Sequence, residues 1–543
     1  MRTPGEPWPT VSRRRDLGPT DLQRLTATLT TAAADLGITR PHRPWLPPLP
    51  ETITADRLPV PVEDTGAPFA LVDHPERQQQ EPLLWSPCGG HWMVVGGPGT
   101  GRTTSIAAVV TAAAGHWKPE QLQVQVIGDG SSLLSDLVRL PHVGSVVDGE
   151  DRPTTRRFLG HLEDDLTARR ARLRASGHST LDAWWQAHDA DPSGEVPPPH
   201  LLLAVDGWGR ATRPLGGTDL GETAELLETL LRDGVAAGIR CVATGGRELL
   251  SGRISSLVTT RLLLHLPDRG DASLAGLKPS EISGPLVAGR ARVQPGGHLL
   301  QIARPAPQAS GHSVSGHEHA RPWRVEPLPE AVAVARLPAA GVERIPVGIG
   351  GSGREPVVWR VPDARRMLVC GPPGSGRTTA LVTIARQAMT TGHPVVLIGR
   401  GPLVEHPDLA EATVCGPEDR DRLIALRRAH PDLAVVIDDA DRVEDEPVAD
   451  VVKEILRRVD SDRGLVIAST ATQTAATRVR GLVADIARSR AGILLQPTSR
   501  GDGDALSLRV PPLPRIPGRG YLITQGRAEE VQVARVAAPE GYE

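Results

Sequence analysis

Residues 371–379 read Gly371-Pro372-Pro373-Gly374-Ser375-Gly376-Arg377-Thr378-Thr379 and follow the apolar run Met367-Leu368-Val369-Cys370. An apolar strand end, a glycine-rich loop and a helix start stand in that order. The eight positions from Gly371 to Thr378 fit G-x-x-x-x-G-[K]-[ST], with arginine where lysine is expected. The chemistry accounts for the spacing. Glycines let backbone N–H groups converge on phosphate oxygens, and the helix behind them adds its positive end. The basic residue reaches the outer phosphates, and the Thr378 hydroxyl is placed to ligate Mg²⁺. The same device stands earlier, as Gly96-Gly97-Pro98-Gly99-Thr100-Gly101-Arg102-Thr103-Thr104 after Met93-Val94-Val95. Two such loops, each between a strand and a helix, are not a chance run of glycines.

The pattern around the loops repeats as well. A helix follows each loop (103–114 and 378–389), then a strand (122–127 and 395–398). An apolar strand ending in acid comes next, Leu201 to Asp206 and Leu433 to Asp438, and then a further strand, Arg240 to Thr244 and Leu465 to Thr470. Alternating strands and helices predict an α/β fold, a parallel sheet covered on both faces in each of two tandem P-loop modules. Pro48-Leu49-Pro50-Glu51 returns as Pro327-Leu328-Pro329-Glu330, and Arg-Leu-Pro follows at 57 and 336. Glu81 to Trp85 returns as Glu355 to Trp359, and copies stand 274 to 279 residues apart. This is duplication of a module, not a solenoid. A second glycine box closes each copy, Gly289-Arg290-Ala291 and Gly518-Arg519-Gly520.

The chain then divides into a tail and helix (1–47), a first module (48–305), a linker (306–326) and a second module (327–543). Leu22, Leu25 and Leu29 lie on one face of the leading helix, which has nothing of its own to pack on. The first copy carries extra residues around 145–195. They include Arg156, Arg157, Arg169, Arg170, Arg172 and Arg174 on a predicted helix, and the pair Trp184-Trp185. The plain expectation is a solvated helix whose Trp pair packs on the domain; the sharper one is a flap that binds a partner. Residues 305–320 are rich in Pro, Gly and Ser and read as a flexible linker, with His312, His317 and His319 lacking metal-ligand spacing.

A net charge of −3 over 543 residues leaves no overall electrostatic footprint for nucleic acid. Only Lys118, Lys278 and Lys453 among 61 basic residues are lysine. A genome-wide arginine bias is therefore the bland origin of Arg102 and Arg377. Cys88, Cys241, Cys370 and Cys415 form no Cys-x-x-Cys pair, so spacing indicates neither a zinc site nor a disulfide framework. Cys241 and Cys370 read as buried small hydrophobes. The sequence contains neither a signal-peptide core nor an 18-residue apolar run. The expectation is a soluble protein of a reducing compartment.

Asp206 and Asp438 end buried strands, where an aspartate of a P-loop ATPase holds the magnesium water shell. The next position carries the glutamate that activates water in hydrolysing members. Here it is Gly207 in the first module and Asp439 in the second. Glycine supplies no base, and aspartate is one methylene short; a 1 Å misplacement costs about 10²-fold in rate. Arginine for lysine is no conservative swap against a phosphate cradle. Nucleotide binding is therefore better supported than hydrolysis. Thr244 and Thr470 are γ-phosphate sensor candidates, or simply satisfy turn backbone.

With these residues in place, the chain resembles the FtsK/SpoIIIE-type ATPases of type VII (ESX) secretion, the EccC component of actinobacteria, from about residue 20 to 540. Arg43 to Pro50, Pro141 to Gly144, Leu201 to Trp208, Gly492 to Pro497 and Gly501 to Asp504 carry the resemblance. It implies RecA/FtsK-like modules, the second and third of a three-module ATPase, preceded by the last helix of the first. A chain opening on Met1 fits a split gene or a fragment. The resemblance implies ATP and Mg²⁺ as cofactors. Gly96, Gly99, Gly101, Arg102, Thr103 and Thr104 would bind nucleotide in one module, and Gly371, Gly374, Gly376, Arg377, Thr378 and Thr379 in the other. Thr103, Asp206, Thr378 and Asp438 would serve the metal, and Asp439 is the one catalytic candidate. Expected partners are a membrane-bound ATPase half, small helical secreted proteins with a C-terminal signal, and further copies in a hexamer at the inner face of the membrane. The other class in view is a DNA translocase. Neutral charge, non-identical modules and missing glutamates argue against it, so DNA is not an expected partner.

Overall fold

The computed structural model describes residues 18–39, 45–61, 65–213, 222–251, 253–278, 281, 287–305, 321–351 and 353–536. His312, His317 and His319 lie outside them. The chain divides into a small unit, Met1–Pro48 with Asp73–Gln80, and a large one that carries both phosphate loops. In the small unit, helix α1 (Asp21–Asp35) starts at a capping box, where Thr20 and Gln23 satisfy each other's backbone N–H. Leu22, Leu25 and Leu29 on it are all more than half exposed.

The first sheet is built from β1 (Ala67–His74), β2 (Gln79–Trp85), β3 (His91–Val95), β4 (Leu122–Gly128), β5 (Val143–Asp148), β6 (His200–Asp206), β7 (Ile239–Gly245), β8 (Val258–Leu264), β9 (Arg290–Gln294) and β10 (Leu299–Ile302). Its order is β2-β1-β10-β9-β8-β3-β7-β6-β4-β5. The second sheet holds β11 (Arg344–Gly350), β12 (Glu355–Arg360), β13 (Arg366–Cys370), β14 (Val395–Ile398), β15 (Thr413–Cys415), β16 (Ala434–Ile437), β17 (Leu465–Thr470), β18 (Gly492–Leu495), β19 (Arg519–Thr524) and β20 (Arg527–Val533). Its order, β12-β11-β20-β19-β18-β13-β17-β16-β14-β15, repeats the first position for position.

The expected parallel sheet is there, from β8 through β3, β7, β6 and β4 to β5. It is not the whole sheet. β9 adds antiparallel to β8, β10 antiparallel to β9, and β1 antiparallel to β10. Local turn chemistry explains the difference: β19 and β20 are joined by Gln525-Gly526, both at positive φ (50° and 74°). That is the two-residue turn that matches strand twist in an antiparallel hairpin.

Side-chain alternation along central strands builds a core on each face. Leu202 and Ala204 of β6 pack toward α2 (Arg102–His116), with Ile106, Val109 and Val110. Leu201, Leu203 and Val205 face the other way, against Phe158, Leu162 and Leu166 of α3 (Arg152–Ser176). The second module repeats this without α3. Ala434 and Val436 meet Leu381 and Ile384 of the helix after its loop, and Val435 and Ile437 meet Val448, Val452 and Ile455.

The inserted helix α3 is part strut and part solvent face. Arg170, Arg172 and Arg174 are exposed, as expected of a solvated helix. Arg169 turns inward, 2.8 Å from Asp165 and 2.6 Å from the Pro199 carbonyl. Trp184, on α4 (Leu181–Ala190), is buried, and Trp185 Nε1 donates to the Pro198 carbonyl. Arg157 reaches the second module. Its Nη1 donates to the carbonyls of Glu326 (2.8 Å) and Gly351 (3.1 Å), and its Nε lies 3.9 Å from Glu530 of β20. Trp323, within the stretch read as linker, packs at a tilt against Phe158 and His161, and Val325 N–H donates to Ser145. That end of the linker is therefore packed on the first module.

Candidate nucleotide sites

Each phosphate loop leaves the C-terminal end of a central parallel strand, β3 or β13, the edge of an open α/β sheet where ligands bind. Gly99, Gly101, Gly374 and Gly376 take φ of 72°, 107°, 77° and 96°. L-residues with a Cβ rarely adopt such backbone, and it turns successive N–H groups into one concavity. α2 and α5 (Arg377–Thr390) begin on the two arginines.

The second glycine boxes hold these loops in place. Gly289 N–H donates to the Thr100 carbonyl, and Gly518 N–H to the Ser375 carbonyl, both at 2.8 Å. A Cβ on Gly101 would stand 3.0 Å from Gly289 N, and one on Gly376 3.2 Å from Gly518 N. The arginine beside each box glycine ties in the Pro-Leu-Pro box. Arg290 Nε donates to Gln301, and its Nη2 to the carbonyls of Leu49 and Pro50. Arg519 makes the same contacts with Gln532, Leu328 and Pro329. Three motifs that are far apart in sequence thus form one hydrogen-bonded cradle in each module.

The carboxylates expected to serve magnesium meet the loop hydroxyls. Thr103 Oγ1 donates to Asp206 Oδ2 at 2.6 Å, and Thr378 Oγ1 to Asp438 Oδ2 at 2.9 Å. The other carboxylate oxygen takes a hydroxyl from the next strand, Thr244 at 2.5 Å in the first module and Ser469 at 2.5 Å in the second. The pairing register agrees, since Asp206 stands opposite Thr244 while Ile437 stands opposite Ala468. The counterpart of Thr244 is therefore Ser469. Thr470 instead donates to Asp441 at 2.8 Å. Aligning the two strands by their last hydroxyl misses this by one residue.

The position after each carboxylate is left-handed, Gly207 at φ 87° and Asp439 at φ 47°. Asp439 is also occupied. Its Oδ1 lies 3.2 Å from Arg377 Nη2 and its Oδ2 3.6 Å from Arg442 Nε. The one candidate base is paired with the basic residue of its own loop. Cys370, just before that loop, is inert: burial pushes its thiol up to about 12.

A cavity of about 730 Å³ opens beside Thr378 and Thr379, lined also by Val332, Arg336, His406 and Arg535. Its size is that of a small-molecule site. Arg336 and Arg535 did not stand out as site residues in the sequence. The signal was the Arg-Leu-Pro repeat, whose second copy places Arg336 here.

Two ten-stranded sheets, each with a phosphate loop, a strand-end aspartate and a loop threonine on it, define tandem P-loop modules. Residues 61–309 match the FtsK/SpoIIIE family, so the chain carries an FtsK/SpoIIIE domain. It is similar to the ESX-4 secretion system protein EccC4 of Mycobacterium tuberculosis, 24% identical over 91% of this chain and 43% of that protein. The chain thus spans less than half of that relative. In fold it is similar to ATPases 2 and 3 of Thermomonospora curvata EccC, solved with a signal sequence peptide (TM-score 0.66, 21% identity, 91% of this chain and 100% of that one). ATPases 2 and 3 of Geobacillus thermodenitrificans EssC match with a TM-score of 0.64 at 20% identity, over 91% of this chain and 100% of theirs.

Proposed function

We propose that this chain is the nucleotide-binding, substrate-recognising half of a type VII protein-secretion motor, and that its modules bind ATP with Mg²⁺ but turn it over at a rate near background. The observation that carries the reading is the base position: Gly207 in one module, and in the other a left-handed Asp439 paired to Arg377. The donor sets fit the cofactors. Convergent N–H groups face the phosphate position, Thr103 with Asp206 and Thr378 with Asp438 suit a hydrated hard cation, and the 730 Å³ cavity suits the nucleoside. A magnesium ion there would neutralise phosphate charge. Arg102 and Arg377 would grip the outer phosphates, and the glycine boxes would keep the cradle from opening.

Nucleotide rarely split is best used to hold an arrangement. A ligand bound only by the folded state adds about 2.7 kcal/mol at a hundredfold excess over its Kd. The rest of the surface serves recognition. The EccC relative solved with a signal sequence peptide supports peptide docking, and we place the groove for a helical C-terminal export signal on the last module, within about 336–540. A membrane-bound ATPase half as partner, assembly into a hexamer and a place at the cytoplasmic face of the membrane are parts of the same proposal. Among the described residues no helix is long and apolar enough to cross a membrane. The test is ATP turnover by the purified chain. Rates far below about 1 s⁻¹ are expected, unchanged in Asp439→Ala. A rate of that order abolished by Asp439→Ala overturns the reading. Capture of the cognate small secreted pair by the full chain, and not by one ending near residue 310, tests the docking site.

A further inference from the structure

The end of the first sheet opposite its phosphate loop carries a second cluster of chemistry. Cys88 lies in the turn between β2 and β3, Asp182 in the first turn of α4, and His200 opens β6. The thiol sulfur, a carboxylate oxygen and an imidazole nitrogen all lie within 4.8 Å of one another. His200 Nδ1 is 3.7 Å from Asp182 Oδ1. His200 is only 5% exposed, and among the described residues neither that nitrogen nor that oxygen, both buried, has a hydrogen-bond partner. Buried polar atoms are nearly always satisfied, so two orphans facing each other need a third party.

We propose that Cys88, Asp182 and His200 bind a borderline-soft divalent metal ion of the Zn²⁺ class, at a site separate from the nucleotide sites. A tetrahedral ion with bonds of about 2.0–2.3 Å sets its ligand atoms roughly 3.5 Å apart. The imidazole and carboxylate already stand at that separation. Cys88 is exposed on a turn, and its movement closes the remainder. Thiolate and carboxylate together supply two negative charges, and the mixed S, N, O set favours zinc over magnesium or calcium.

The surroundings orient the ligands. Arg240 Nη2 donates to the other carboxylate oxygen, Asp182 Oδ2, at 3.0 Å, and so turns Oδ1 toward the cluster. Arg240 is 2% exposed and is itself fixed by the carbonyls of Gly89 and Val235. A ligating carboxylate held by an outer hydrogen bond is the usual support of such a site. β6 connects the two sites, with His200 at its start and Asp206 at its end, roughly 20 Å apart at about 3.3 Å per residue. Three protein ligands leave one coordination position open on the Cys88 side. The ion would fasten the β2–β3 turn to α4 and to the central strand.

Co²⁺ is the probe, added to the reduced, chelator-washed full chain. Its thiolate charge-transfer band reports a sulfur ligand, which the oxygen donors of a phosphate-loop magnesium site do not supply. Cys241, Cys370 and Cys415 are buried, so the band is assignable to Cys88. The expected result is a band that saturates at one equivalent, is displaced by Zn²⁺, and is lost in Cys88→Ser, an exposed change that leaves the far-ultraviolet dichroism intact. His200→Gln, if it retains the wild-type dichroism, should weaken Zn²⁺ in competition with a chromophoric chelator by at least about tenfold. No thiolate band in the wild-type chain under excess Co²⁺, or a band that survives in Cys88→Ser, overturns the proposal.

Discussion

Asp439 and Gly207 occupy one place, a residue past the strand-end carboxylate, and both take left-handed backbone. Aspartate tolerates that region better than most residues, glycine best of all. The left-handed turn aims the Asp439 side chain at Arg377. Nucleotide and Asp439 would therefore compete for the same guanidinium. Asp439→Asn is expected to tighten nucleotide binding at the second module by about twofold to fivefold, the worth of a partly exposed pair of roughly 0.5–1 kcal/mol. Titration with a fluorescent nucleotide, in a chain whose first loop carries Thr103→Ala, reads this directly. Weaker binding in Asp439→Asn would instead make the carboxylate part of the site.

The cradle belongs to the scale of elements. Gly518 sits at φ 79°, donates to the phosphate loop, and leaves no room for a side chain, since a Cβ would meet Gln532 Nε2 at 2.8 Å. Gly518→Ala combines left-handed strain with displacement of the Arg519–Gln532 pair. A loss of about 1–3 kcal/mol is expected in denaturant unfolding, with weaker nucleotide binding at the second module only. The buried strands carry a different cost. Leu203, on the α3 face of β6, is fully buried. Leu203→Ala should cost about 2–5 kcal/mol through the cavity it leaves, without changing nucleotide affinity at the second module.

At the scale of the molecule, the inserted helix joins the modules. Arg157 is 9% exposed on its side chain, and Glu530 lies between it and Arg519, whose Nη1 is 3.6 Å from Oε1. Removing one partner of a buried ionic group costs about 3–5 kcal/mol because the other stays buried. Arg157→Ala is therefore expected to split thermal unfolding into two transitions, where the wild-type chain shows closer coupling by calorimetry. Acid acts on both modules. Burial lowers the pKa of His91 and His142 in the first and of His393 in the second. A histidine depressed in the folded state takes up its proton more readily when unfolded, near 6.5. The stability it contributes is full above that pH and is lost as pH falls toward the folded value. Tm should drop between pH 7 and 5, and His142→Gln should flatten the first module's share of that drop.

The sequence by itself determined what depends on neighbours along the chain. Loop glycines, the apolar strands before them and the acids that end other strands are local patterns, and duplication made them legible twice. It also carried the identity of Thr103, Asp206, Thr378 and Asp438, which the fold brings together in pairs. The tertiary structure decided what depends on register and on approach between distant segments. One residue of strand register separates Ser469 from Thr470 as the partner of Asp438. The Gly-Arg and Pro-Leu-Pro boxes were visible as repeats, but only the closed sheet sets Arg519 on the carbonyls of Leu328 and Pro329. Cys88, Asp182 and His200 share no spacing that a sequence motif could hold, because a turn, a helix start and a strand start supply one ligand each. Strand and helix periodicity fixes which face a residue takes, whereas the packing of the whole sheet fixes which distant residue it meets.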